Sequence, residues 1–281
     1  MYLASLIKRA FKSNLVVTAY VYGVFGHGKT SYALWTAYEV LGDWNKVLSH
    51  LFFSPSEAVL VISDAIKRRE RLPIIIMDDA GLWLSKLTWW EADKVSFMEF
   101  FNMIRNVAGG VIFTTPTKEL PKEVVRKCFF RVSVRPAQED EILAHLGAEG
   151  YESLLSTAKR FGLEPSFCMA KGYLINVLPS FMEAVKRDFY DFYPLQYPRP
   201  VYEAYEEMRW RATRACFEKW RARVESSKVR SRDELVELAK RLISAGWEKR
   251  EVVKELMRLG VPAVTAYRWI NKILERSTKT T

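Results

Sequence analysis

The sequence predicts an α/β protein, a parallel sheet flanked by helices, followed by a small all-α helix-turn-helix module, winged or trihelical. Three observations carry this reading. Short apolar runs alternate with amphipathic stretches from Leu15 to Val134. The stretch Asp188 to Pro200 then changes texture, with three prolines among many aromatics. From Val201 to the end the spacing of apolar residues is helical.

Leu15 to Tyr22 is rich in β-branched and aromatic residues and reads as a buried strand. Lys29 to Leu41 reads as a helix ending at Gly42. Val47 to Phe53 is expected as a second strand, and Ser54-Pro55 as the start of a helix over Glu57 to Glu70. Pro73 to Met77 is a short apolar strand. Glu91 to Val107 is a helix with Phe97, Phe100, Phe101, Ile104 and Ala108 on one stripe. Gly109-Gly110 ends it, and Val111 to Thr115 is the next strand. Pro121 to Lys127 is a short helix, Phe129 to Val134 a fifth strand, and Glu139 to Phe161 one or two helices. A strand is expected at Tyr173 to Val177. The prolines of Asp188 to Pro200 argue against regular helix or sheet. The expected domains are therefore 1–187, a linker with a long charged helix at 188–230, and a helical unit at 231–281.

With 281 residues and 49% apolar content, the chain can bury one medium core and a small second one. No run of about 18 apolar residues is present, so no membrane-spanning helix and no membrane partner are expected. Lys8, Arg9 and Lys12 give the start of the chain the charge of a signal peptide. The apolar run after them enters a glycine-rich turn with no cleavage site, so mature protein is expected. Cys128, Cys168 and Cys216 are widely spaced and form no CxxC pair. They are expected as buried or half-buried free thiols in a reducing, cytoplasmic setting. The net charge is +10, of which the 19 basic and 12 acidic residues from Val201 onward contribute +7. A basic segment on a nearly neutral domain points to a polyanionic partner.

Gly23-Val24-Phe25-Gly26-His27-Gly28-Lys29-Thr30 fits the pattern GxxxxGK followed by Ser or Thr, between an expected strand and an expected helix. Glycines let backbone N–H groups converge on phosphate oxygens, and the helix turns its positive end toward them. Gly23, Gly26, His27, Gly28, Lys29, Thr30 and Ser31 form the expected cradle for ATP. Lys29 is expected to neutralise the β- and γ-phosphates, and Thr30 to ligate Mg2+. The strand Ile74 to Met77 ends in Asp78-Asp79, which puts acid at the carboxyl edge of the sheet, where ligands bind in such folds. Asp78 is expected to hold Mg2+ through water. Asp79 is expected to orient the attacking water, with a role as a helix-capping acid as the alternative. Thr114 or Thr115, at the tip of the next strand, is placed to sense the γ-phosphate, unless the pair simply ends the strand. Among Arg105, Arg126, Arg131 and Arg135, Arg126 is the candidate finger for a neighbour's γ-phosphate.

Together these motifs, over Leu15 to Arg135, resemble the additional-strand, catalytic-acid division of P-loop ATPases, which includes the AAA+ and RecA-like motors. The resemblance implies ATP hydrolysis, a strand between those bearing the glycine turn and Asp78, and assembly as a homo-oligomeric ring or filament.

The C-terminal unit shows helical spacing at Leu235, Leu238, Ala239, Leu242 and Ile243, and again at Val252, Val253, Leu256 and Met257. The run Leu259 to Ile270, LGVPAVTAYRWI, resembles the turn and recognition helix of resolvase-type and transposase-type DNA-binding domains. That resemblance implies double-stranded DNA as partner, with Thr265, Arg268, Asn271 and Lys272 reaching bases or phosphates and Ala263 near the groove floor. A protein partner for this unit is the alternative. ATPase first and helix-turn-helix last is similar to DnaA-type replication initiators and to small ATPases of archaeal viruses and plasmids. An ATP-switched transcriptional regulator and a packaging or transfer motor are the competing expectations. A small-molecule kinase is disfavoured, because nothing suggests an acceptor pocket.

Overall fold

The computed structural model describes residues 1–84, 92–116, 122–177, 183–228 and 232–277. The expected helix starts at Glu91 and Pro121 lie outside the described residues. The chain divides into two compact units, Met1–Arg209 and Trp210–Thr281.

Among the described residues the first unit has seven strands: β1 (Val17–Tyr22), β2 (Leu51–Phe52), β3 (Ile75–Met77), β4 (Gly110–Thr115), β5 (Phe130–Pro136), β6 (Phe167–Val177) and β7 (Glu183–Pro194). They form one sheet in the order β2-β3-β4-β1-β5-β6-β7, so β4 lies between β1 and β3. The pairs among β1 to β5 are parallel. The pairs β5–β6 and β6–β7 are antiparallel, so the expected all-parallel sheet is a mostly parallel one.

Both faces of the sheet are covered. On one lie α1 (Tyr2–Lys12) and α2 (Lys29–Leu41), with Leu3, Ile7 and Leu34 fully buried. On the other, Tyr20, Ile75, Met77, Val111 and Phe113 pack with α4 (Pro55–Arg68), α5 (Ala92–Phe101) and α6 (Lys122–Lys127). Ile74, Ile75, Ile76 and Met77 are all 2% exposed or less, and each such side chain contributes roughly 1.5–3 kcal/mol by leaving water.

Two local expectations change, and one left open is resolved. Val47 to Phe53 begins as helix: α3 (Trp44–Ser49) starts where the Asp43 side chain accepts from the N–H groups of Asn45 and Lys46, leaving only Leu51–Phe52 as strand. The helix α7 (Glu139–Arg160) is broken at Gly147, whose φ of 69° is not helical. The third concerns the expected linker. Residues 183–194 form β7, and the prolines fall at its last paired residue, Pro194, and beyond. Asp191 and Tyr193 of that strand are buried against α1 and α2. The main division of the chain therefore falls at Arg209, within α8 (Arg199–Lys228), and not at residue 188.

The second unit contains the rest of α8 and three helices, α9 (Arg232–Ser244), α10 (Lys249–Arg258) and α11 (Ala263–Ser277). Its separate core comprises Leu235, Ala239, Val252, Val253, Leu256, Val261, Ala266 and Ile270. A capping box between Glu248 and Glu251 starts α10. Cys128 and Cys168 are buried free thiols, whereas Cys216 is exposed on α8. Among the described residues no helix is long and apolar enough to cross a membrane.

Candidate functional site

The strand ends set the geometry. Parallel register pairs Tyr22 with Thr115 and Met77 with Phe113, so the residues following β1 and β3 emerge beside Thr114 at one edge of the sheet. The turn between β1 and α2 holds its glycines for steric reasons. A Cβ on Gly23 would lie 2.8 Å from the Val134 carbonyl oxygen. Gly28 has φ of 84°, and a Cβ there would meet Cys168 Sγ at 3.0 Å and Leu195 at 3.1 Å. Gly26 is also left-handed, at φ 79°. His27 and Thr30 are half-buried in the same turn, and Ser31 is buried on the first turn of α2. The Tyr32 N–H bonds to the Gly28 carbonyl, so the amides of Lys29, Thr30 and Ser31 precede the intrahelical ladder.

Lys29 is 7% exposed and donates to the Gly23 and Val24 carbonyls at 3.1 and 3.0 Å. Burial lowers its pKa against the pull of Asp79 and Asp78, with Arg209 adding to the lowering. The Thr30 hydroxyl lies 3.1 and 3.2 Å from the two Asp78 carboxylate oxygens. Asp78 is fully buried. Burial raises its pKa, the Asp79 charge adds to this, and hydrogen bonds from Thr114, Tyr205 and Thr30 oppose it.

The two threonines of β4 separate, as alternation along a strand requires. Thr114 donates to Asp78 at 2.5 Å and accepts from the Asp79 N–H at 2.9 Å. A hydroxyl has one proton, and this one is given to Asp78. Thr114 therefore positions the acidic pair in this structure. The hydroxyl of Thr115 lies beside Gly81. Asp79 is half-buried with φ of 47°, and its side chain does not cap the 3₁₀ turn Ala80–Leu82. Holding an aspartate left-handed costs energy, which the Thr114 bond to its amide offsets.

Arg126 is exposed and is not brought to this edge. The neighbouring Lys127 carbonyl accepts from Thr18, near the start of β1. About 16 Å of strand separates that end from Gly23. Arg105 lies beyond α5, where its carbonyl accepts from Arg71. Arg135 pairs with Glu141.

Sequence reasoning missed two contributors, both on α8. The Tyr205 hydroxyl donates to Asp78 Oδ2 at 2.9 Å. Arg209 follows one helical turn later, on the same face. Partial burial works against the Arg209 charge, but Tyr205, Asp79, Glu206 and Asp78 outweigh it and raise its pKa. No local signal could reveal either residue, because Tyr205 is 127 positions from Asp78. Tyr205→Phe leaves a fully buried carboxylate short of one donor. The expected cost is about 1–3 kcal/mol of unfolding free energy, read by urea denaturation of the full chain. A loss under about 0.5 kcal/mol would show that the contact contributes nothing.

The donor set suits a hard cation held in part by its ligand. Thr30 and Asp78 offer oxygen only, and among the described residues no group of three or more His, Cys, Asp or Glu could hold a metal unaided. Mg2+ commonly binds in this way, through one or two side chains plus phosphate oxygens and water.

In the second unit, α10 and α11 are joined by Leu259–Pro262, with Gly260 at φ 89°. Arg268, Asn271 and Lys272 are exposed on α11 and Thr265 is half-buried. Helical spacing puts Thr265, Arg268 and Lys272 on one face. Ala263 is not on that face. It shares the side of Ala266 and Ile270, both buried in the core, so the expected groove-floor role is not supported.

Two relatives come from archaeal viruses. One, described as "Uncharacterized protein B-251" of Sulfolobus spindle-shape virus 1, is 39% identical over 125 residues, covering 42% of this chain and 50% of that protein. The other, described as "Uncharacterized protein ORF286" of Acidianus two-tailed virus, is 31% identical over 121 residues, covering 42% of each. The chain thus spans half or less of the length of these relatives. No family model matches.

Proposed function

We propose that this chain is an ATPase that binds Mg-ATP in the turn Gly23–Ser31 and engages double-stranded DNA through its C-terminal helices. The observation that carries the reading is the convergence of Thr30 and the buried Asp78 carboxylate to 3.1 Å beside a turn of left-handed glycines. The strand order adds support, since β4 lies between β1 and β3 as the ATPase resemblance implies. Lys29 and the first amides of α2 bind phosphate charge, Asp78 and Thr30 hold the metal, and Asp79 orients water. The metal supplies charge neutralisation of the phosphates. Tyr205 and Thr114 fix Asp78 in place.

The DNA half of the proposal rests on the exposed Arg268, Asn271 and Lys272 and on the basic excess after Val201. Arg126 is too far from its own turn to serve it, so any role as a finger is played on a second copy in a homo-oligomer. The relatives come from archaeal viruses, in keeping with a mobile element; the process proposed for it is replication initiation, DNA remodelling or a transposition-like reaction. A protein partner for the C-terminal unit is the second reading, favoured by Val264, 72% exposed on α11.

Measuring ATPase rate against protein concentration, with and without duplex DNA, tests turnover, assembly and DNA dependence together. Arg268→Ala is expected to weaken duplex binding about 5- to 100-fold while the thermal midpoint stays put. Unchanged duplex affinity by fluorescence anisotropy would remove α11 from the interface and favour the protein partner.

A further inference from the structure

We infer that the cleft beside the first turn of α2 is the subsite for the base and ribose of the nucleotide, with Tyr202 as its stacking surface and Gln196 as its polar contact. This rests on the proposal that the Gly23–Ser31 turn binds a nucleoside triphosphate. The cleft has a volume of about 500 Å³ and belongs wholly to the first unit. Small-molecule sites fall in the range of about 300–1,000 Å³, so a nucleoside fits while the phosphates lie outside on the turn.

Its walls connect it to that turn. Ser31, one residue after Thr30, lines it. So does Leu195, whose Cδ1 would lie 3.1 Å from a Cβ on Gly28. A ligand with phosphates on the amides of Lys29 to Ser31 has this cleft as the adjoining space for its other end. Leu163, Leu195 and Tyr197 give the cleft apolar walls for a ring, and Arg199 also lines it. Tyr202 is 51% exposed, and its ring lies 6.0 Å from that of the buried Tyr197. An exposed aromatic over an apolar cavity gains from a planar partner. Gln196 offers an amide donor and acceptor side by side, which suits the edge of adenine.

The frame is rigid. Trp35 of α2 donates to the Gln196 carbonyl at 3.0 Å, and the Leu195 N–H donates to the Ser166 carbonyl at 2.8 Å. The segment with the proline-rich texture is thereby fixed to the helix that starts at the glycine turn. This gives its aromatics a task that a linker would not need.

The test titrates the full chain calorimetrically with Mg-ATP and, separately, with Mg-tripolyphosphate, which has neither base nor sugar. Wild type is expected to bind ATP at least about 5-fold more tightly, the lower end of one base–aromatic contact. Tyr202→Ala and Gln196→Ala, both exposed positions that folding tolerates, are expected to erode that advantage and leave tripolyphosphate affinity within about twofold. If both variants keep the wild-type ratio of ATP to tripolyphosphate affinity, the cleft is not the base subsite, although the turn still binds phosphate. If wild type binds neither ligand, the nucleotide reading fails and the subsite falls with it.

Discussion

Lys29→Ala is expected to reduce ATP affinity by about 100-fold or more and to abolish measurable hydrolysis, with the thermal midpoint changed by only a few degrees. The ammonium donates to two loop carbonyls, Gly23 and Val24. Exchanging those neutral acceptors for anionic phosphate oxygens makes two bonds between charged groups, each about 1.5–3 kcal/mol. Their loss costs about 3–6 kcal/mol, or about 10²–10⁴ in affinity. Stability is expected to hold because burial already works against the Lys29 charge, so removing it relieves a desolvation cost as it breaks two bonds. Lys29→Arg should not restore binding, since a forked guanidinium does not fit a space shaped for a point charge. Nucleotide titration of both variants checks this. Wild-type affinity in Lys29→Ala would mean that the turn does not bind phosphate through this residue.

Asp79→Asn is expected to separate binding from turnover. Asp79 is half-buried, and its backbone is held left-handed through Thr114. Asparagine tolerates that conformation, so the fold should persist. It cannot accept a proton, and losing a positioned general base typically costs 10²–10⁴ in rate. Single-turnover hydrolysis should therefore fall by about 10²–10³ while ATP affinity stays within about threefold. Equal loss of both would assign Asp79 to ligand binding. Unchanged turnover would leave the water without this base.

Much of the first unit was legible because its chemistry is local. The glycine turn, its flanking strand and helix, and the apolar strand ending in Asp78-Asp79 are each fixed by neighbours in sequence. Contacts with distant parts of the chain were not legible. Lys8, Arg9 and Lys12 give the start of the chain a signal-like charge, yet it forms α1, whose Leu3, Ala4, Ile7 and Ala10 recur at helical spacing and are buried. Asp191 ties that helix down, accepting from the N–H groups of Tyr2 and Leu3 and from the Tyr32 hydroxyl. Nothing near Asp191 in sequence announces this. Prolines at 194, 198 and 200 made the segment read as a linker, yet they only mark where β7 stops and α8 begins. Periodicity identified α8 as a helix but could not show that Tyr205 meets Asp78. The threonine pair on β4 was ambiguous until the fold brought Thr114 against Asp78 and the Asp79 amide.

A crystal structure of the full chain grown with Mg2+ and a non-hydrolysable ATP analogue is the most direct test. The triphosphate should lie along the amides of Gly26 to Ser31, with Lys29 swung off its loop carbonyls onto phosphate oxygens and Mg2+ beside Thr30 and Asp78. Analogue bound elsewhere while Lys29 still donates to Gly23 and Val24 would contradict the proposed function at its root.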